Sequence, residues 1–134
     1  MNALPSPISR PVWVSVALAW IVAGLVVNRA GLGLPPTARD VAGDALWAMM
    51  VFAGIGVLLP TRSIRARAAI AIAIAWAVEF SQLYHTATLD AWRQTTAGRL
   101  VLGVGFDARD LAAYAAGVLA GIGLELVMRG RRDQ

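Results

Sequence analysis

The sequence has no cysteine and no lysine, and its only histidine is His85. Without cysteine there can be no disulfide framework, thiolate metal ligand or thiol nucleophile. A single histidine excludes a multi-histidine metal centre, so only carboxylates remain as ligands for a hard cation such as Mg2+ or Ca2+. No metal and no cofactor is expected. All twelve cations are arginine, a bias that GC-rich coding explains more simply than chemistry does. Charge is scarce as well: 15% of the 134 residues are charged against 58% apolar, and mean hydropathy is +0.64. A soluble domain of this length does not need so much apolar surface, so the expected surroundings are a lipid bilayer. The net charge of +4 calls for no nucleic acid partner.

Long apolar runs are what the chain has in abundance. After a short lead carrying Arg10, Val12 to Val27 is uncharged, and with its flanks it reaches the length of a first span over about 11–33. Arg10 followed by an apolar run also fits a cleaved signal peptide, but Asn28 and Arg29 follow Val27 where a small-x-small site would stand. Gly31, Gly33, Pro35 and Pro36 break that helix, and Thr37-Ala-Arg-Asp40 has the form of a capping box. A second span over 38–59 should therefore start just after Thr37 and stop before Pro60. Thr61 to Arg67 reads as a basic turn with Ser63 as N-cap. A third span covers 64–85. Its AAIAIAIAWA stretch alternates like a strand, yet both partners in the alternation are apolar and the run is long, which decides for a helix. A fourth span covers 110–128. The expectation is an all-α protein, a four-helix transmembrane bundle in one domain over 1–134, with a polar extracytoplasmic connector between helices 3 and 4.

Charge sets the orientation. Arg10, Arg62, Arg65, Arg67, Arg129, Arg131 and Arg132 fall on one side with Glu125 and Asp133, a balance of +5. Five arginines and six acids fall on the other, a balance of −1, and the two sum to +4. The positive-inside rule then puts both termini in the cytoplasm of a multi-pass inner-membrane protein.

Glu79 stands deep in an apolar run, where a charge costs ~2.5 kcal/mol or more. In this topology Asp44, Glu79 and Asp110 come from three helices to the outer half of the bundle, where Arg93, Arg99 and Arg109 of the connector are expected to neutralise them. The candidate ligand-binding set is Asp44, Glu79, Gln82, His85, Trp92, Arg93, Arg99, Asp110 and Tyr114. Asp110, Tyr114, Gly117 and Gly121 share one helix face, and the Gly117/Gly121 pair is a GxxxG packing motif. These polar groups would equally serve if they only tied helices together. Ser81 and His85 lack an orienting acid and an oxyanion hole, and Gly103-Val-Gly105 lacks the third glycine of a dinucleotide loop. Trp13, Trp20, Trp47 and Trp76 read as interface anchors or packing groups.

DALWAMMVF at 44–52, VEFSQLYH at 78–85, LDAWRQTTAGRLVLG at 89–103 and GFDARDLAAYAAGVLAG at 105–121 resemble a bacterial family of small integral membrane proteins catalogued as domain of unknown function 2809. More loosely, Glu79 and Gln82 followed by an arginine and then Asp110 are similar to VanZ-like membrane proteins, although the asparagine usual after that aspartate is absent. The resemblance implies a protein of the bacterial cell envelope with no assigned reaction.

Two functions fit. One is a binding protein for a polar or anionic lipid-linked or amphiphilic ligand at the outer leaflet. The other is a membrane-embedded enzyme or proton-coupled carrier in which Glu79 exchanges protons with His85 or Asp110. A carrier this small would need a homo-oligomer, for which the Gly117/Gly121 face is the candidate contact.

Overall fold

The structure, a computed structural model, describes residues 7–29 and 32–132. Gly31 and Asp133, which the sequence reading used as a helix breaker and a terminal charge, lie outside the described residues. Six helices follow in order: α1 (Arg10–Arg29), α2 (Pro36–Leu58), α3 (Ile64–Ser81), α4 (Ala87–Arg93), α5 (Thr96–Leu102) and α6 (Ala108–Gly130). There is no strand among the described residues.

Three of the helices, α1, α2 and α6, are long and apolar enough to cross a membrane. They mark a membrane protein, and many of their large side chains, Leu18, Val22, Leu119 and Val127 among them, point outward where lipid would cover them. The expected third span differs. Its helix stops at Ser81 and carries Arg65, Arg67 and Glu79 within 18 residues, so α3 does not qualify by length and composition.

Local chemistry explains the helix ends. The stretch Thr37–Asp40 forms no capping box: α2 starts at Pro36, behind Pro35, with no side-chain cap. Pro36 holds the φ of a first helical turn and has no N–H to satisfy, which removes the need for one. Ser63 caps α3 as expected, accepting from Ala66 N. At the other end the last carbonyls of α3 all find donors. Ser81 Oγ donates to Val78 O, and backbone N–H groups of Gln82, Leu83 and Tyr84 bond Glu79, Phe80 and Ser81. Arg93 then reaches back from α4 to Ser81 O at 2.6 Å and Tyr84 O at 2.8 Å. A cation at a helix C-terminus is favourable there, and this contact ends α3 four residues before the expected His85. The connector is not an open loop, because Thr86 and Thr95 cap two short helices by accepting from Leu89 N and Gly98 N. Asp107 caps α6, which therefore begins just ahead of the expected Asp110.

The packing runs on small residues. Along α3, Arg67, Ala71, Ala75 and Glu79 are all buried, a stripe of period four with a charge at each end. The Ala/Ile alternation thus resolves into a helix with alanine on its inner face. It meets α6, which runs antiparallel, so that Arg67 pairs with Glu125 at one end and Glu79 meets Tyr114 at the other. On α6, Gly117 lies against the Ala45 carbonyl of α2, where a Cβ would come within 2.2 Å of the oxygen, and Gly121 lies against Phe52. The GxxxG face is consequently filled inside the chain and is not free to receive a second copy.

Candidate functional site

Each end of the helix array buries a carboxylate. At the end that holds the termini, Arg67 and Glu125 form an ion pair with both side chains wholly buried, and Arg129 adds a second cation at 2.7 Å. The Arg67 guanidinium also lies 5.1 Å from the centroid of the Trp13 ring and 5.6 Å from that of Phe52, a cation–π setting. Arg67, read from the sequence as part of the same basic turn as Arg62 and Arg65, is buried while those two are exposed. It donates to Glu125 because α3 and α6 are antiparallel, a long-range fact the sequence does not display.

At the connector end Glu79 is also fully buried, but no arginine touches it. Its Oε1 accepts from Asp107 N at 2.7 Å, and its Oε2 accepts from Tyr114 Oη and Gln82 Nε2, both at 3.1 Å. Three donors aimed at one carboxylate satisfy its oxygens without a cation. They also tie the end of α3 to the start of α6. Asp44 and Asp110 face each other beside this group, within electrostatic reach of Glu79. The three carboxylates converge, as expected, and Arg99 and Arg109 stand at the same end, but among the described residues no arginine hydrogen-bonds any of the three. Arg93 is committed to the α3 carbonyls and Asp90, Arg99 to Gln94, and Arg109 to Asp107. That pairing holds the Asp107 carboxyl below its ordinary value.

A cavity of about 880 Å3 opens at this end. Asp44, Gln82, Arg99, Asp110 and Tyr114 of the candidate set line it. Asn28, Arg29, Arg39, Asp40, Asp107 and Arg109 line it too. None of these six was in the candidate set, although the i, i+4 spacing of Asp40 and Asp44 on α2 already placed both on one face. Glu79 stands behind the wall and does not line this cavity. Gln82 is 4% exposed, and its Oε1 has no hydrogen-bond partner among the described residues.

His85, Trp92 and Arg93 stand apart from the cavity. His85 is exposed and bonds Asp90 at 3.1 Å, and that contact first, with Arg93 second, lowers the Asp90 carboxyl from its ordinary value. Trp92 is exposed on α4, where its carbonyl accepts from Thr95. No group of three or more His, Cys, Asp or Glu arranged to hold a metal occurs among the described residues.

Residues 34–118 match the family model described as Protein of unknown function (DUF2809). The chain belongs to the DUF2809 family. The matched stretch runs from just before α2 to the middle of α6, so it takes in Asp44, Glu79, Gln82, Asp110 and Tyr114. It leaves out α1 and the Glu125 end of the ion pair. No solved structure matches this DUF2809 protein.

Proposed function

We propose that this DUF2809 protein is a single four-helix domain of the bacterial inner membrane, multi-pass with both termini cytoplasmic, that binds an amphiphilic or lipid-linked ligand by its polar head at the outer leaflet. The observation that carries this reading is the polar cavity at the connector end. It sets carboxylates of Asp44 and Asp110 beside arginines that do not neutralise them, a surface suited to a head group with both donors and negative charge.

Further support comes from the helix ends. A crossing by α3 is tolerable because Arg67 and Glu79 both find partners within the protein, which removes the penalty for charge in hydrocarbon. The arginines of the terminus end favour the cytoplasm for that end. The looser likeness to VanZ-like proteins agrees with an envelope setting. Asp44, Gln82, Arg99, Asp110 and Tyr114 are the contact residues in this reading, and Gln82 Oε1 is an acceptor awaiting a donor from the ligand. Glu79 positions Gln82 and Tyr114. His85, Trp92 and Arg93 hold the connector that roofs the site. Glu79 is enclosed by three donors and exposed His85 bonds Asp90 instead, so the alternative of proton exchange through Glu79 rests on Asp110 alone.

Native mass spectrometry of gently purified protein tests the site. The wild type should retain an amphiphile that the Asp44→Asn/Asp110→Asn double variant loses at least tenfold, with the fold checked by thermal unfolding. Equal retention by a folded double variant would overturn the reading.

A further inference from the structure

A second cavity, about 350 Å3 and mostly apolar, adjoins the polar one. Its walls come from Trp20, Ile21 and Gly24 of α1, Trp47 and Met50 of α2, and Leu100 of α5. The two share a boundary, with Asn28, Asp44, Arg99 and Tyr114 lining both. Arg99 is the cation at that junction. Its side chain's only hydrogen bond among the described residues goes to the neutral Gln94 oxygen at 3.1 Å.

This geometry specifies a ligand with three parts in order: an apolar chain, an anion, then a polar head. A fatty acid would end at Arg99 and leave the larger cavity unused. An anionic group that is bonded on both sides is required, and a phosphodiester provides it while a carboxylate cannot. Beyond it, the paired Asp44 and Asp110 carboxyls and Gln82 Oε1 offer acceptor oxygens, which a head carrying donors would fit. We infer that the groove between α1, α2 and α5 holds the single hydrocarbon chain of a phosphodiester amphiphile, with the phosphate at Arg99 and a donor-bearing head in the polar cavity. This rests on the head-group reading above and adds the chain, its path and the linking chemistry.

Lysophosphatidylglycerol brominated on its acyl chain is a suitable probe, because bromine quenches a tryptophan that it touches and Trp20 and Trp47 line the groove. The detergent-purified wild type should show saturable quenching that disappears when Trp20→Phe and Trp47→Phe are combined. A Cβ at Gly24 would meet nothing within 4 Å, so Gly24→Leu should fill the groove without strain and weaken apparent binding at least tenfold. Arg99→Gln should weaken it similarly, and a brominated fatty acid of the same chain length should bind the wild type at least tenfold more weakly than the probe. Probe binding that is displaced by deacylated glycerophosphoglycerol, yet is unaltered by Gly24→Leu and produces no quenching, would overturn the chain path while leaving the head site standing. Quenching that is lost in Gly24→Leu but unaffected by Asp44→Asn/Asp110→Asn would instead overturn the head-group reading. Equal affinity for the fatty acid would overturn the phosphodiester.

Discussion

The two ends of α3 pose the same problem and solve it differently. Arg67, near the first turn, meets Glu125 and Arg129, and the packing of Trp13 and Phe52 seals the group from all sides. Glu79, near the last turn, meets only neutral donors, and beside it Asp44 and Asp110 face an open cavity. A charge closed by charges within a dry wall holds helices together and can do little else. Carboxyls that no arginine hydrogen-bonds, next to space, are the groups the proposed ligand would meet. Burial of an acid in hydrocarbon is therefore not by itself the sign of a site; the sign is which acids the protein leaves unneutralised.

The largest effect should come from breaking the sealed end. Glu125→Leu strands Arg67 in a wholly buried position and should destabilise the protein by about 3–5 kcal/mol, read by denaturant unfolding in detergent. Combining it with Arg67→Met should recover most of the loss. A single variant as stable as wild type would show that the pair is not buried as described. The seam joining α2 to α6 comes next: Gly117→Val drives a side chain into the Ala45 carbonyl and should cost about 1–3 kcal/mol, visible in the same unfolding experiment. Tyr114→Phe removes one of three donors to Glu79. Because hydrogen bonds to charged groups contribute about 1.5–3 kcal/mol each and two others remain, a loss at the low end is expected, with thermal unfolding as the readout.

The smallest effect lies in the connector. Asp90 titrates below its ordinary value of 3.8 through His85 and then Arg93. Its contribution to stability is therefore fully present above that value and lost as pH falls through the lowered one. Asp90→Asn should lower stability slightly at neutral pH, flatten the acid limb of the profile below pH 4, and converge with the wild type at still lower pH.

Much of this was legible in the residues. Glu79, Asp44 and Asp110 announce themselves because acids in apolar runs are costly, and the up-and-down order of the helices brings them to one level. Ser63 as a cap and Pro60 as a stop are local signals read within a turn or two. What escaped notice was pairwise. Arg93 sits among the connector cations like any other, and nothing in LDAWRQT says that it folds back to close α3. Arg67 sits in a basic turn beside two exposed arginines, and only the 58-residue reach to Glu125 separates it from them. Asn28 and Arg39 join the cavity because α1 and α2 flank it, which is again a matter of placement.

By itself the sequence determined the solvent, the helical class and the end of the helix array at which the acids gather, since these depend on hydropathy, on helix length and on the 3.6-residue period, all of them properties of short stretches. Only the tertiary structure decided which acid received arginines and which received a cavity. Ion pairing and enclosure depend on contacts between residues dozens of positions apart, and no local pattern encodes them.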